Sequence, residues 1–410
     1  MYDIIIIGAG ASGLSAALKA SMIDSKLQIL VLEKEAKCGR KLSASGNGKC
    51  NLTNSVFSKD CYHSIIGDIP SVFVENHNID EVTDFFHDLG ILTYDNNGYY
   101  YPISNKALQV TSALVKMCLL RGVEIINSCV VTSIKKINEN DGYSVLAKDA
   151  SYYGRNVILA AGSCASPMLG GCSLGYELAE QLGITVTDLY PGLTPIYVDE
   201  KNISIAKGVR LNGTVSLHIN DIVKKETGQI QINEDNLSGI ALMNLSCYLP
   251  LLNGSTIKDC LYIDIMPEYS WEKLKEFFVI QQSNNGKETV VLMLSKIFPS
   301  PFVKYLLTRI RINADTIISE LTDKQINRLV SNIKKLTFTP IYRDDYSKAQ
   351  VTIGGINTKE IDSNSFESTK YKGLYIIGEM LDIAGCCGGY NITFAVLSGI
   401  NAAKAITNKL

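Results

Sequence analysis

The stretch at residues 2–34 constrains the fold more than any other part of the chain. Four consecutive isoleucines at 4–7 predict a strand that is buried on both faces. The glycine pattern G-x-G-x-x-G follows at 8–13, and then come a helical stretch at 14–21 and a second buried strand at 27–32. Glu33 ends this second strand. Strand, glycine turn, helix, strand and acid in this order predict a dinucleotide-binding unit, and a glycine-rich turn in another doubly wound protein is the alternative.

Each glycine of the pattern has its own predicted task. Gly8 permits the tight turn, Gly10 lets the backbone approach a pyrophosphate, and Gly13 lets helix and strand pack closely. The helix N-terminus offers free N–H groups and partial positive charge to phosphates. Glu33 lies twenty residues after Gly13, where its carboxylate can accept hydrogen bonds from ribose hydroxyls.

Composition narrows the class of protein and its partners. The chain has 410 residues, enough for two or three domains, with 46% hydrophobic and 20% charged residues. Its net charge is −2 and no run of basic residues exceeds two, so we expect a small-molecule substrate and no nucleic-acid partner. Eleven scattered cysteines without a C-x-x-C pair indicate reduced thiols of a cytoplasmic protein. No apolar stretch is long enough for a membrane span, and the N-terminus lacks the basic region of a secretory signal.

A loop rich in glycine, small polar residues and cations follows the dinucleotide-binding unit. It reads GRKLSASGNGKCNLTN at residues 39–54. Such a loop can wrap a phosphate-bearing ligand with many backbone donors, and Arg40 and Lys41 could neutralise a pyrophosphate. From composition alone, an ordinary polar loop is an equal alternative.

This loop resembles the signature GRKLLxSGxGRCNxTN of a bacterial family of FAD flavoproteins, the aminoacetone-oxidase-like and BaiN-like NAD(P)/FAD-dependent oxidoreductases. The resemblance implies that residues 39–54 line the flavin. Lys49 stands where the family more often has arginine, which keeps the positive charge and loses the bidentate fork.

Further stretches resemble the same family at both ends of the chain. The strand at 130–134 implies an adenine contact through the backbone of Val131, and residues 156–163 resemble a second FAD-contacting element, with an ordinary strand and turn as the alternative. Glu379, after the strand at 373–377, would bind the ribityl chain. Residues 385–392 would start a helix whose N-terminus faces the flavin pyrimidine and stabilises the reduced ring.

The resemblance is weaker on the side expected to face substrate. Leu174 replaces an acid of the family pattern, Asn233 and Glu234 stand where the family usually has Thr-His, and Ile240 replaces a proline. We therefore expect the redox step of the family to persist with a different substrate.

The predicted fold class is α/β, with a Rossmann-type, glutathione-reductase-like FAD-binding domain at residues 1–190 and 341–410. Short alternating runs between them predict an inserted substrate or cap domain at 191–340, with antiparallel, barrel-like β structure plus helices. Ser300 is the predicted cap of one of these helices, and Thr322 with Gln325 forms a predicted capping box for another. Because an insertion leaves and re-enters beside the cofactor, we expect it to cover the flavin face and form most of the substrate pocket.

The site residues are predicted from the glycine unit and from the matched stretches. No metal site is predicted, and the catalytic residues are unknown, with Tyr390 and Glu234 as weak candidates. Cys386 and Cys387 are either a redox pair or small buried side chains. The predicted cofactor-binding residues are Gly8, Ala9, Gly10, Ala11, Ser12, Gly13, Glu33, Lys34, Gly39, Arg40, Lys41, Ser45, Gly46, Asn47, Gly48, Lys49, Cys50, Asn51, Val131, Ala160, Ala161, Gly162, Gly378, Glu379, Gly388, Gly389, Asn391 and Ile392.

The predicted function is an oxidoreductase with non-covalent FAD. The sequence has no second G-x-G-x-x-G, so NAD(P)H would dock only transiently as reductant. The resemblance implies hydride delivery through the flavin to a small organic substrate, such as a conjugated C=C. The alternatives are an amine oxidase that uses O₂, and a flavin-binding regulator or RNA-modification partner. The sequence leaves the oligomeric state open.

Overall fold

The computed structural model describes residues 1–138, 142–252 and 260–410. The chain divides into two compact units. The first consists of Met1–Pro191 and Asp345–Leu410, and the second is the intervening segment Gly192–Asp344. Each unit has its own hydrophobic core.

The chain up to Gly192 contains eleven strands and six helices among its described residues. The strands are β1 (Tyr2–Ile7), β2 (Ile29–Leu32), β3 (Thr53–Asn54), β4 (Tyr62–His63), β5 (Thr93–Asn96), β6 (Tyr99–Pro102), β7 (Glu124–Ile126), β8 (Val131–Lys136), β9 (Tyr143–Ala147), β10 (Ser151–Leu159) and β11 (Tyr190–Gly192). The helices are α1 (Ala11–Ile23), α2 (Arg40–Ala44), α3 (Ile69–Asn76), α4 (Asp80–Asp88), α5 (Ala107–Leu120) and α6 (Leu174–Gln181).

The second unit and the return segment complete the chain. The second unit contains β12 (Ile196–Val198), β13 (Arg210–Ile219), β14 (Ile222–Ile232), β15 (Asn236–Ser238), β16 (Leu261–Asp264), β17 (Leu336–Phe338) and β18 (Pro340–Ile341). Its helices are α7 (Ile240–Ser246), α8 (Trp271–Asn284), α9 (Val290–Ser295), α10 (Ser300–Ile310) and α11 (Asp323–Lys334). The return segment adds β19 (Val351–Ile353), β20 (Leu374–Ile376), β21 (Ala384–Gly385) and α12 (Tyr390–Thr407).

A parallel sheet forms the centre of the first unit. Its parallel strands follow the order β7-β2-β1-β10-β20, and the antiparallel strands β9 and β8 extend it from the first half of β10. Ile4, Ile5 and Ile6 are fully buried in β1, as expected for a strand that is covered on both faces. The glycine pattern directly follows β1 and leads into α1, so it lies at the carboxyl end of β1. Ligands of open α/β sheets bind at the carboxyl ends of the strands.

Helices α1 and α12 pack closely against each other. Gly399 permits the approach, since a Cβ atom there would lie 2.4 Å from the carbonyl oxygen of Ser12. The return segment is thereby fixed against the first helix of the chain. The two glycine-rich turns, at 8–13 and 385–389, therefore belong to one unit, although they are far apart in the sequence.

The second unit is an antiparallel sheet with helices. Its strand order is β17-β16-β13-β14-β15-β12-β18, and every pairing is antiparallel. The described residues show no pairing of β17 with β18, so the path through the sheet is open. The predicted fold class, an α/β domain with an inserted antiparallel β and helical segment, is confirmed.

The two predicted helix starts in this unit have different outcomes. The capping box is confirmed, because the Thr322 side chain accepts from the N–H of Gln325 and the Gln325 side chain accepts from the N–H of Thr322. The prediction that Ser300 caps α10 is wrong. Ser300 is already the first helical residue, Pro299 occupies the cap, and no side chain caps this end.

Candidate functional site

The glycine turn after β1 has the close contacts that the sequence pattern predicts. Gly8 has a φ of +107°, and a Cβ atom there would lie 2.3 Å from the carbonyl oxygen of Ala160. A Cβ atom at Gly13 would lie 2.0 Å from the carbonyl oxygen of Gly8. By contrast, a Cβ atom at Gly10 would meet no protein atom within 4 Å. Gly8 and Gly13 therefore have packing roles, while Gly10 leaves room for a ligand beside the backbone and so fits a pyrophosphate.

The Glu33 carboxylate is held in place by two backbone N–H groups. Its Oε2 accepts from Ala9 N at 2.7 Å, its Oε1 accepts from Glu35 N at 2.8 Å, and the residue is only 8% exposed. A carboxylate has about four lone-pair sites, so these two bonds leave acceptor capacity for ribose hydroxyls. The same acid thus orients the glycine turn and offers a ligand acceptor.

Three charged side chains form a cluster next to this acid. Lys34 Nζ donates to Glu35 Oε1 at 2.7 Å, and Arg40 is hydrogen-bonded to the other oxygen of Glu35 and, at 2.7 Å, to the carbonyl oxygen of Met168. The hydrogen bond from Lys34 is the largest influence that lowers the pKa of Glu35. Glu35 was missed by the sequence reasoning, although its position directly after Lys34 was visible. Since Glu35 already pairs with Lys34 and Arg40, neutralisation of a pyrophosphate by Arg40 stays a prediction.

The loop at 39–51 folds back on the glycine turn. Gly39 N donates to the carbonyl oxygen of Ala9 at 2.9 Å, and α2 begins directly afterwards. Residues 46–48 all have positive φ angles and form a tight left-handed turn. The loop continues through exposed Lys49 and buried Cys50 to Asn51. The side-chain oxygen of Asn51 is buried and has no hydrogen-bond partner among the described residues, and an orphaned acceptor of this kind fits a ligand that carries N–H or O–H donors.

Glu379 connects three stretches that are far apart in the sequence. Both of its carboxylate oxygens accept from Lys41 Nζ at 2.7 Å, and Oε1 also accepts from Ser163 Oγ at 2.9 Å. The structure therefore joins the loop at 39–51, the turn after β10 and the return segment at one carboxylate. Ser163 is absent from the predicted set, although it ends the matched stretch at 156–163.

Four further predicted residues of the first half lie at the ends of strands, whereas Ala11 and Ser12 lie in α1 and Ser45 follows α2. Val131 is the first residue of β8 and is buried. Ala160 directly follows β10 and donates its N–H to Ile7, while Ala161 N donates to the sulfur of Met380 at 3.2 Å. A Cβ atom at Gly162 would meet nothing within 4 Å, so the chain is open to a ligand at this turn as it is at Gly10.

The glycine-rich turn before α12 is braced from two directions. A Cβ atom at Gly389 would lie 2.9 Å from the backbone of Thr53, and Asn54 Nδ2 donates to the carbonyl oxygen of Gly388 at 3.2 Å. The Asn391 side chain bonds both the N–H and the C=O of Gly385, each at 2.7 Å. Asn391 therefore organises the turn and leaves the N-terminus of the 18-residue helix α12 as a fixed source of positive potential.

The two weak catalytic candidates fall in different units. Tyr390 is 6% exposed, its hydroxyl is hydrogen-bonded to the Cys61 thiol, and burial raises its pKa well above 10. Glu234 lies in the second unit with its side chain 71% exposed, and it pairs with Lys207 at 2.7 Å. Its surroundings are those of an ordinary surface ion pair, so its catalytic role stays a prediction.

A cavity of about 580 Å³ lies beside the loop but is not the predicted site. Helices α2 and α5 and residues 36–38 line most of it, and Arg40 is the one predicted cofactor residue in its lining. Within residues 1–138, 142–252 and 260–410, no group of three or more His, Cys, Asp or Glu could hold a metal ion. None of the helices in those ranges is long and apolar enough to cross a membrane.

The fold and the residues around the glycine turn define the class of the protein. A parallel sheet carries the glycine turn and the buried Glu33 at its carboxyl end, and the return segment brings a second glycine turn to the same unit. The open space at Gly10 and the orphaned oxygen of Asn51 fit a dinucleotide. These features define a dinucleotide-binding protein of the Rossmann class.

The comparisons identify the family. The chain belongs to the HI0933-like family, whose Rossmann-domain model matches residues 2–405. It is 31% identical over 412 residues to the 3-dehydro-bile acid Δ4,6-reductase of Clostridium scindens, covering 100% of both chains. It is 27% identical over 409 residues to the ribosomal RNA dihydrouridine synthase of Haemophilus influenzae, covering 99% of this chain and 98% of the relative. The predicted family resemblance is confirmed, and together with the dinucleotide-binding site it makes the protein an FAD-dependent oxidoreductase.

A solved structure supports the fold. The 3-ketosteroid Δ1-dehydrogenase of Sterolibacterium denitrificans, in complex with 1,4-androstadiene-3,17-dione, superposes with a TM-score of 0.52 at 14% identity, covering 100% of both chains. At this identity the likeness concerns the fold alone.

Proposed function

We propose that this oxidoreductase reduces a carbon–carbon double bond conjugated to a carbonyl group, with NAD(P)H as its reductant. The observation that carries the proposal is the 31% identity, over the whole length of both chains, with a 3-dehydro-bile acid Δ4,6-reductase. The name of that relative places the reduced double bonds in conjugation with a 3-oxo group. A steroid-like enone is therefore the first substrate class to consider.

The second relative is named for a reaction with the same electronic demand. Dihydrouridine differs from uridine by saturation of the ring double bond that is conjugated to a carbonyl group. Reduction of such a bond takes a hydride at the electrophilic carbon, which is the carbon β to the carbonyl or its vinylogous δ carbon, and a proton at the neighbouring carbon. This shared demand supports the reaction class more strongly than it supports either particular substrate.

The residues of this chain supply binding, orientation and charge, and FAD when bound supplies hydride transfer. Glu33 and the turn at Gly10 would hold the adenosine and pyrophosphate portions. Glu379, fixed by Lys41 and Ser163, would hold the ribityl portion. The N-terminus of α12 would stabilise negative charge on the reduced ring.

Tyr390 is our candidate for the proton donor. A tyrosine hydroxyl is protonated at neutral pH, and burial raises the pKa of this one further. A protonated, hydrogen-bonded hydroxyl can give a proton to the developing enolate of the substrate and can regain it from its neighbours.

Two other functions are second candidates, namely reduction of uridine in RNA and oxidation of an amine. The 27% identity with a ribosomal RNA dihydrouridine synthase favours uridine in RNA, while the net charge of −2 favours a small molecule. An amine oxidase that uses O₂ is the third reading. The sequence contains a single G-x-G-x-x-G, so NAD(P)H would bind transiently in each reductase case.

Anaerobic stopped-flow spectroscopy separates these possibilities. The FAD-loaded protein is mixed with NADPH, with NADH or with an amine, and bleaching of the flavin absorbance is followed. The reduced protein is then mixed with a 3-oxo-Δ4 steroid, with unmodified ribosomal RNA or with O₂. We expect NAD(P)H to bleach the flavin and the steroid enone to restore it. Reduction by the amine alone, or reoxidation by O₂ alone, would refute the proposal, and reoxidation by RNA would keep the reaction class and change the substrate.

A further inference from the structure

Two cysteines lie opposite one another on a short ladder in the first unit. Strands β4 and β21 pair antiparallel, with Ala384 opposite His63. At the adjoining end of this ladder, the N–H of Cys386 donates to the carbonyl oxygen of Cys61 at 2.8 Å. Cys386 and Cys61 are therefore cross-strand neighbours, although 325 residues separate them in the sequence (386 − 61).

Cross-strand neighbours satisfy the spacing that a disulfide needs. Residues directly opposite one another on antiparallel strands have Cα atoms roughly 4.5–5.5 Å apart and project their side chains from the same face. Disulfides join Cα atoms that are about 4.4–6.8 Å apart. The sequence reasoning considered Cys387 as the partner of Cys386, but a disulfide between adjacent residues is strained. The ladder offers Cys61 instead.

The contacts of the two thiols place them around one hydroxyl group. The Cys61 thiol is hydrogen-bonded to the Tyr390 hydroxyl, and Cys61 and Cys386 both help to raise the pKa of that hydroxyl. Cys386 Sγ also lies 3.5 Å from His63 Nε2. Neutral imidazole with Nε2 as acceptor can take the thiol proton, which makes Cys386 the better-activated sulfur of the two.

We propose that Cys61 and Cys386 form a reversible disulfide, with His63 as the base for Cys386. Cys61 is partly exposed, so its thiol can lose its proton to water, and the thiolate then attacks a small disulfide such as glutathione disulfide. The first glutathione leaves as a thiolate and takes a proton from water. Cys386 then gives its proton to His63 and displaces the second glutathione from Cys61. Two protein thiols lose two electrons and two protons, and one glutathione disulfide becomes two glutathione thiols.

The bond would act on the turn that precedes α12. It would fix Cys386 to the strand that carries His63, immediately before Gly388, Gly389 and Tyr390. Three residues predicted to serve the cofactor or catalysis would thus be attached to a cross-link, and the redox state of the thiols would change their freedom of movement.

Thiol titration and peptide mapping test the proposal on the full-length, FAD-loaded protein. The protein is equilibrated with glutathione buffers of increasing disulfide content and then denatured in excess alkylating agent, so that the buried thiols also react. Mass spectrometry then counts the alkylated thiols. We expect two fewer alkylated thiols than the eleven cysteines of the chain, and a non-reducing digest should contain one linked peptide pair that joins Cys61 to Cys386. Eleven alkylated thiols in the most oxidising buffer, or a bond mapped to Cys387, would overturn the proposal.

Variants separate the roles of the residues. Cys61→Ser and Cys386→Ser should abolish the loss of thiols, and Cys387→Ser is the matched control that should behave as the wild type. If a serine variant fails to fold, the digest of the wild type decides by itself. His63→Asn should slow oxidation at neutral pH at least tenfold and leave the final thiol count unchanged. An unchanged rate would remove His63 from the mechanism.

Discussion

Replacement of Glu33 by alanine tests both tasks that the structure gives to this acid. The carboxylate accepts from Ala9 N at 2.7 Å and from Glu35 N at 2.8 Å. Hydrogen bonds to a charged group contribute about 1.5–3 kcal/mol each. The variant should therefore lose up to about 3–6 kcal/mol of unfolding free energy, an upper value because water can enter the space and hydrate the freed N–H groups.

The effect on the cofactor should be separable from the effect on stability. Loss of the ribose contacts should cost about 1.5–3 kcal/mol of binding free energy. This raises the dissociation constant of FAD roughly tenfold to a hundredfold. Flavin fluorescence titrated with the apoprotein measures the affinity, and urea unfolding of the apoprotein measures the stability.

Matched variants make the test specific. Glu33→Gln keeps one acceptor oxygen and places an NH₂ group against the other backbone donor, so it should fall between the wild type and Glu33→Ala. Glu124→Ala removes an exposed carboxylate of the neighbouring strand β7 that accepts only from Tyr2 Oη in the described contacts, and should leave both quantities nearly unchanged. Equal FAD affinity in the wild type and Glu33→Ala would show that the acid serves the turn alone, and equal stability as well would refute the reasoning.

Three further predictions follow from other contacts of the first unit. Gly13→Ala should unfold the turn and abolish FAD retention, because its Cβ atom would lie 2.0 Å from a backbone oxygen, whereas Gly10→Ala should fold normally and bind FAD more weakly; equal circular dichroism of the two variants would contradict this. Glu379→Gln should release Lys41 from its ion pair and weaken the binding free energy of FAD by about 1–3 kcal/mol, measured by fluorescence titration. An unchanged affinity would show that the acid does not contact the cofactor. Burial raises the pKa of Asp382 above the usual value, so its contribution to stability is present below about pH 3.9 and is lost as the pH rises through the raised folded value. Urea unfolding from pH 4 to 7 should therefore show a decline that Asp382→Asn lacks, and parallel curves for the two proteins would contradict the assignment.

The sequence by itself determined the features that depend on neighbouring residues. Glycine spacing, β-branched runs and the position of Glu33 specify a βαβ unit because each acts over a few residues through sterics and hydrogen-bond reach. The capping box of Thr322 and Gln325 was found for the same reason. Ser300 was misassigned as a cap because a serine followed by proline is compatible with two helix starts one residue apart, and only packing selects between them.

Tertiary structure alone decided which distant residues meet. The pairing of Lys41 with Glu379 spans 338 residues, and the register that brings Cys61 opposite Cys386 is set by β4 and β21. A sequence pattern reports spacing along the chain, whereas a carboxylate accepts hydrogen bonds from whichever donors the fold brings near it. Here the packing of α12 on α1 joins the return segment to the N-terminal part of the unit. The ion pair between Glu35 and Arg40 is a second example. The sequence shows that both charges exist, but only the folded backbone determines that they are partners.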